Sequence, residues 1–292
     1  AMAGTQWTSD TRLLSLARTL DAPTLYAPAP RPAPCPPAKR RKVQVAATDL
    51  DNLKADPFAF YARKIARLRS LDPIDAEPSA AWRGIMVHDI LEAWAKEDGC
   101  APDALIARAE AMLGQLSAHP LMQMLWAPRL MEAIGFIARE TASKIAQGRR
   151  IAAVEEAGTI TIDGVTIFGR ADRIDSGADG SLIIIDYKTV APPTNKAVAA
   201  GFALQLGIVG LIAEGGGFDG VSGKARGFEY WSLARKSGSI ELGYIRSPVT
   251  DDGEEKGMDA GGFLDHARTH LREALARWIN GDEPFVAQLH PE

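Results

Sequence analysis

Two strand-like runs joined by a short turn constrain the fold of this chain more than any other stretch. The runs, residues 165–175 and 182–188, are rich in β-branched side chains, and residues 176–180 between them supply Ser, Gly and Asp for a turn. This segment is therefore predicted to be an antiparallel β-hairpin. The unbroken apolar run at 182–185 further predicts that the second strand is buried on both faces.

The register of this hairpin decides which charged side chains meet. For a five-residue loop, the simplest register sets Asp172 opposite Ile184. The same register pairs Arg170 with Asp186. Side chains alternate, so Asp172, Asp186 and Lys188 share one face, with the two aspartates as diagonal neighbours roughly 7–8 Å apart. A solvated cross-strand ion pair is one explanation, but repelling acids at the edge of a core favour a divalent cation site.

Composition narrows the class of protein. The chain has 292 residues and is 46% hydrophobic, which indicates a globular protein. Its net charge of −4 provides no overall positive electrostatic field that would attract nucleic acid. Its cysteines, Cys35 and Cys100, predict a reducing, cytoplasmic location and exclude a four-cysteine zinc or iron–sulfur site. No apolar run approaches the roughly 18 residues that span a bilayer, so no membrane association is expected.

The chain divides into two predicted regions. Residues 1–45 are predicted to form an N-terminal helix and a proline-rich linker. The basic run 39–42 within it either contacts phosphates or is simply solvated, and the solvated alternative is favoured. Residues 46–292 are predicted to form one domain, mainly helical over 46–150, with the catalytic sheet and its flanking helices in 151–292.

Two further elements flank the central hairpin. Asp163-Gly164 predicts a tight turn that joins a strand over 151–162 to the hairpin, which gives a three-stranded meander. A single helix is predicted over 195–214, and it carries Gln205. Upstream, another helix carries His88.

The order of these pieces resembles the PD-(D/E)xK nuclease superfamily and its RecB-like exonuclease branch. The matching pieces are RGIMVH at 83–88, GRADRID at 169–175, IIIDYKT at 183–189 and Gln205 one helix later. Two further segments, DPFAFYARKIARLRSLDPID and GDEPFVAQLHP, resemble the C-terminal nuclease domain of AddB-type subunits, the second subunits of alphaproteobacterial AddAB helicase–nucleases. The resemblance covers roughly residues 45–292.

The resemblance implies a fold and a role for each matched residue. The fold would be restriction-endonuclease-like α/β, with a mixed central β-sheet flanked by helices and an N-terminal helical part. Four groups would hold Mg²⁺ or Mn²⁺: His88, Asp172, Asp186 and the main-chain carbonyl of Tyr187. Lys188 would orient the attacking water, and Gln205 would position the substrate. Arg83 and Arg170 are candidate substrate contacts, and Glu155 is a further site candidate with a purely structural role as its alternative.

The expected function follows the resemblance, with two departures. Val209 stands where the family's Gln-x-x-x-Tyr motif has its tyrosine, and the cysteines of cluster-bearing relatives are absent, so no iron–sulfur cluster is expected. The resemblance implies a metal-dependent DNA exonuclease domain that acts on single strands or duplex ends in double-strand break repair and recombination, with an AddA-type helicase–nuclease subunit as partner. Alternatives are a non-catalytic scaffold that docks on the helicase, and a stand-alone nuclease for RNA or flaps.

Overall fold

The computed structural model describes residues 11–22, 28–69, 71, 80–115, 124, 126–249 and 258–288, without the side chains of 80–83 and 115. The chain forms two compact units, residues 1–32 and 33–292. The first contains helix α1 (Thr11–Asp21), whose residues are all exposed. Among the described helices, none combines the length and apolar character that crossing a bilayer requires.

The second unit combines a sheet with helices on both sides. Its described strands are β1 (Val45–Ala46), β2 (Arg150–Ile162), β3 (Val165–Ser176), β4 (Leu182–Lys188), β5 (Ala225–Arg235) and β6 (Leu242–Arg246). Its described helices are α2 (Asp49–Ala55), α3 (Pro57–Phe60), α4 (Ala80–Glu97), α5 (Pro102–Gln115), α6 (Ala127–Ala146), α7 (Asn195–Ala199), α8 (Gln205–Glu214) and α9 (Ala260–Ala274). Short π-helical turns, Tyr61–Ile65 and Leu275–Ile279, extend α3 and α9.

The sheet is mixed, as the restriction-endonuclease-like expectation requires. Its strand order is β1-β3-β4-β5-β6, and β2 pairs along the length of β3. The β1–β3 and β4–β5 pairs are parallel, and the other pairs are antiparallel. This architecture confirms the predicted fold class.

Strand β4 lies between two hydrophobic cores. Leu182 and Ile184 face the core formed with α2, α8 and α9, whereas Ile183 and Ile185 face the core formed with α4, α5 and α6. Alternate side chains of one strand therefore serve both cores, which explains the unbroken apolar run. The prediction that this strand is buried on both faces is confirmed.

The register of the β3–β4 hairpin differs from the prediction. Ile174, not Asp172, lies opposite Ile184, because Ser176 still belongs to the strand and pairs with Leu182. The turn thus comprises residues 177–181 and is closed by the carboxylate of Asp179, which accepts hydrogen bonds from the backbone N–H and hydroxyl of Ser181. The register has moved by two residues, and a shift of two leaves every side chain on its predicted face.

The helix predicted over 195–214 is divided in two, and that prediction is wrong for residues 200–204. Helix α7 ends before Gly201, whose φ of +75° lies in the left-handed region that glycine adopts without a steric penalty. The chain then turns at Leu204, and α8 begins at Gln205. Gln205 is therefore the first residue of a helix and not an interior one.

Part of the proline-rich segment belongs to the second unit and packs within it. Arg41 is 1% exposed and donates hydrogen bonds to the carbonyl oxygens of Trp278 and Glu283. The backbone N–H of Phe285 donates to the carbonyl oxygen of Pro34. The prediction of a solvated basic run is wrong for Arg41, because buried carbonyl groups at the end of the domain need its guanidinium. Phe285 itself is fully buried.

Candidate active site

Strands β3 and β4 separate where the predicted acids lie. Their backbone pairing ends at Arg173 and Ile185. Beyond this point the backbone N–H of Tyr187 in β4 has no backbone partner in β3. It donates instead to Oδ2 of the Asp172 side chain, at 2.8 Å. An opening between two strands, lined by carboxylates, results from this separation.

Three side chains from three elements meet at this opening. His88 of α4, Glu155 of β2 and Asp172 of β3 each offer one potential ligand atom, and these atoms lie within 4.8 Å of one another. Nδ1 of His88 is 3.0 Å from Oε1 of Glu155 and 3.8 Å from Oδ2 of Asp172. An imidazole with two carboxylates is a ligand set suited to a divalent cation. This group contains Glu155, the further site candidate, beside His88 and Asp172, two of the predicted metal ligands.

Glu155 is held there by an unusual backbone. Its φ is +49°, which is uncommon for a residue other than glycine. The flanking pairs of the β2–β3 ladder place it opposite Asp172. A strained residue of this kind persists where surrounding contacts fix it, and such residues cluster at functional sites. No sequence pattern indicates this strain, which is why alternation alone could not separate Glu155 from Glu156.

A second group continues the site along β4. Nζ of Lys188 lies 2.7 Å from Oδ2 of Asp186 and donates hydrogen bonds to Oδ1 at 3.0 Å and to Oε1 of Gln205 at 3.2 Å. Despite the short contact, the buried Oδ2 of Asp186 has no hydrogen bond of good geometry among the described residues. This oxygen therefore keeps a lone pair that a cation could use. The residues present fit a divalent metal.

The electrostatics favour added positive charge. Burial, followed by the charge of Asp186, raises the pKa of Asp172 to about 7, although His88 acts in the opposite direction. Burial also raises the pKa of Asp186, against the effect of Lys188. Burial alone would lower the pKa of His88, but its hydrogen bond to Glu155 and the nearby acids raise it overall. The raised pKa values of Asp172 and Asp186 indicate that burial disfavours their negative charge, which either protons or a metal ion can relieve.

Metal binding is expected to tighten as the pH rises through about 7, because Asp172 and His88 must both lose a proton to act as ligands. In the metal-free protein, by contrast, folding stability is expected to fall as the pH rises. The folded-state pKa of Asp172 lies above its unfolded value, so its contribution to stability is present at acidic pH and is lost as the pH rises towards 7.

Thermal unfolding with and without Mn²⁺, on either side of pH 7, measures how metal binding and metal-free stability each change with pH. Asp172→Asn is the control, since the amide has no proton to lose and should flatten the metal-free slope. A metal-induced shift of equal size on both sides of pH 7 would contradict the expectation.

Of the two arginines predicted to contact substrate, the structure describes the side chain of Arg170 but not that of Arg83. Nε of Arg170 donates to Oε2 of Glu155 at 2.6 Å, and its NH2 lies 3.5 Å from Glu92. Arg170 remains 59% exposed, so a guanidinium that neutralises Glu155 also faces solvent at the site. Arg83 lies in α4, but its side chain is outside the described residues.

Tyr230 of β5 contributes a phenol that the sequence did not indicate. It lies opposite Asp186 in the β4–β5 ladder, and burial, with the charges of Asp186 and Asp51, raises its pKa. Val209, at the motif tyrosine position, is a core residue that packs against Gly169. Strand β5 contains none of the quoted motifs, so only the sheet register places this phenol beside the site.

The structure thus combines a mixed sheet flanked by helices with acids, a histidine and a lysine where two strands diverge. The sequence profile of the PD-(D/E)XK nuclease superfamily matches residues 44–288. The chain belongs to the PD-(D/E)XK nuclease superfamily. Nucleases of this superfamily generally use divalent metal ions.

Related proteins have been found in Rickettsia. An uncharacterized protein of Rickettsia bellii is 28% identical over 182 residues, and one of Rickettsia conorii is 27% identical over 185 residues. Each alignment covers 59% of this chain and 22% of the relative. The chain thus spans about a fifth of the length of these relatives.

Solved structures offer a weaker likeness. A protein from Eubacterium rectale, provisionally named an exonuclease, aligns over 86% of this chain and 87% of its own, with a TM-score of 0.40 and 10% identity. The protein SSO0001 aligns over 66% of this chain with a TM-score of 0.24. Similarity at this level supports no conclusion about activity.

Proposed function

We propose that this chain is a metal-dependent DNA exonuclease domain. The observation that carries the proposal is the pairing of two groups at one strand opening in a member of a nuclease superfamily. One group, His88, Glu155 and Asp172, offers cation ligands. The other, Asp186, Lys188 and Gln205, sets an ammonium beside a carboxylate. Mg²⁺ or Mn²⁺ is the proposed cofactor.

Each group has a defined task in phosphodiester hydrolysis. Asp172 and Asp186, with His88 and the Tyr187 carbonyl as further proposed ligands, would hold the ion. When bound, the ion supplies charge neutralisation at the phosphate and favours loss of a proton from water. Lys188 stabilises negative charge on the phosphate and orients the attacking water.

Gln205 has the supporting task. Its Oε1 accepts a hydrogen bond from Nζ and holds the ammonium in place. The ammonium therefore does not need to reorganise when charge develops on the phosphate, and such preorganised groups stabilise transition states most effectively.

The proposed setting is a helicase–nuclease that processes DNA ends in double-strand break repair and recombination in the cytoplasm. Single strands or duplex ends would be the substrate, and an AddA-type subunit would be the partner. One observation supports a partner that delivers the DNA. The net charge of −4 gives no long-range attraction for a polyanion.

Degradation of end-labelled single-stranded DNA tests the proposal. We expect cleavage in Mg²⁺ or Mn²⁺, none in EDTA, and a loss of about 100-fold or more in Lys188→Ala, the size seen when one charge-stabilising donor is removed. Lys224→Ala, at a side chain that is 76% exposed, is the matched control and should cleave normally.

Failure of the wild-type chain to cleave, both alone and in complex with its helicase partner, would contradict the proposal. It would leave the non-catalytic scaffold as the explanation.

A further inference from the structure

We propose that Asp51 is a positioning residue that sets Gln205, and through it Lys188, for catalysis. This inference rests on the proposed nuclease function. It concerns a residue of α2, in the helical part that precedes the catalytic sheet. Asp51 lies 153 positions before the backbone group that it binds.

The first step is the hydrogen bond between Asp51 and the start of α8. The backbone N–H of Leu204 donates to both carboxylate oxygens of Asp51, at 3.1 Å and 3.3 Å. Leu204 is fully buried, and α8 has no capping side chain of its own. The first N–H groups of a helix lack partners within the helix. Asp51 supplies one from a different element, and its negative charge also suits the positive end of the helix.

The second step is the loop that separates α7 from α8. Lys54, one turn after Asp51 in α2, donates from Nζ to the carbonyl oxygen of Gly201 at 2.7 Å. Asp51 and Lys54 therefore hold the two ends of the loop 201–204 from one helix. The loop is the break in the helix that the sequence predicted as continuous, and its conformation sets where α8 begins.

The third step leads from the loop to the reacting groups. Leu204 directly precedes Gln205, so fixing its N–H fixes the direction in which the Gln205 side chain leaves the backbone. Oε1 of Gln205 then accepts from Nζ of Lys188 at 3.2 Å, and Nζ contacts Asp186. Two hydrogen bonds, joined through the backbone between Leu204 and Gln205, thus connect Asp51 to the ammonium of Lys188.

The surroundings of Asp51 agree with this role. Burial raises its pKa to about 6, while the N–H of Leu204 and the ammonium groups of Lys54 and Lys188 oppose the rise. A half-buried carboxylate whose hydrogen bonds go to the backbone of an active-site helix stabilises that helix in one position. Among the described residues, no hydrogen bond of Asp51 goes directly to a proposed cation ligand, so its loss should leave metal binding intact.

The alternative is that Asp51 only stabilises the packing of α2 on α8. Asp56→Ala controls for that, because Asp56 is also a capping aspartate, accepts from the N–H of Ala59 in α3, and does not contact α8. Both Asp51→Ala and Asp56→Ala should lower the unfolding temperature. Asp51→Asn should behave like the wild type, since its amide oxygen can accept the same hydrogen bond.

Steady-state cleavage of single-stranded DNA by the full chain separates the two roles. We expect Asp51→Ala to lower kcat about 10-fold or more with little change in KM, because a misplaced catalytic group costs rate and not binding. In a Gln205→Ala background the same substitution should change kcat by less than about 2-fold, since both act through one path. Equal losses with and without Gln205 would overturn the inference, as would an equal loss in Asp56→Ala.

A spectroscopic measurement decides the matter even if the wild type does not cleave DNA. The ¹³Cε resonance of Lys188 in lysine-labelled protein reports its environment, and Lys188→Arg assigns it. Asp51→Ala and Gln205→Ala should shift this resonance in the same direction, and Asp56→Ala should not. An unchanged resonance in Asp51→Ala would refute the inference, whereas an inactive wild type with the expected shift would refute only the proposed function.

Discussion

Asp186→Ala is expected to abolish cleavage, with a loss of rate of about 1,000-fold or more. The reason is that metal-ion catalysis lowers the activation barrier by several kcal/mol. The carboxylate lies at the end of β4, is buried and has an oxygen without a hydrogen bond of good geometry. Removing it also leaves Lys188 without its partner at 2.7 Å. Both the cation site and the ammonium are therefore disturbed by one substitution.

Asp186→Asn should be at least as stable as the wild type while it loses function. Burial disfavours the charged form of Asp186, so replacing this side chain removes an unfavourable charge from the metal-free protein. Thermal unfolding of the metal-free protein should show an unchanged or higher midpoint in Asp186→Asn, and added Mn²⁺ should no longer raise it. Lys188→Met is the contrasting variant, which should lose cleavage yet keep its response to Mn²⁺. Full activity in Asp186→Asn would show that the cation is held elsewhere.

Arg173→Met is expected to cost about 3–5 kcal/mol of unfolding free energy, because it leaves a buried carboxylate without its partner. Arg173 and Asp175 are 1% and 0% exposed, and the guanidinium pairs with the carboxylate through Nε at 2.6 Å and NH2 at 2.8 Å. Its NH1 donates to Oγ1 of Thr141 in α6. The pair thus joins β3 to the helical layer beneath the active site.

Urea denaturation of single and double variants measures this coupling. Arg173→Met with Asp175→Leu should be considerably more stable than Arg173→Met alone, since an apolar pair leaves no charge without a partner. Arg272→Met is a surface control, because Arg272 pairs with Asp163 in an exposed position and its loss should cost far less stability than the loss of Arg173. A similar cost for the buried and the exposed arginine would show that the buried pair contributes no more than a surface one.

The strand periodicity is the part of the site that could be predicted from residues alone. The hairpin register was wrong by two residues, yet Asp172, Asp186 and Lys188 still gather at one strand opening, because side chains alternate with a period of two. An error of one residue would have placed them on opposite faces. The mixed sheet was predicted in two steps. Local patterns defined the strands and helices, and the superfamily resemblance supplied their arrangement.

The features that could not be predicted depend on long-range contacts. The break between α7 and α8 falls in an apolar stretch that continues a helical pattern, and only Gly201 marks it. Glu155 reaches the site through a strained backbone that no residue pattern encodes. Asp51 lies on a short helix whose sequence is typical of a helix surface, and its partner is remote along the chain. Each of these depends on tertiary structure that overrides local preference.

The contacts of Arg41 with the end of the domain bear on how this protein should be trimmed for study. The superfamily match begins at residue 44, and a truncation there would appear natural from alignments. Such a truncation would remove the guanidinium that binds the carbonyl groups of Trp278 and Glu283, and with it the backbone partner of Phe285. The compact unit therefore begins upstream of the boundary that the superfamily match gives, and an expression start at or before residue 33 keeps these contacts intact.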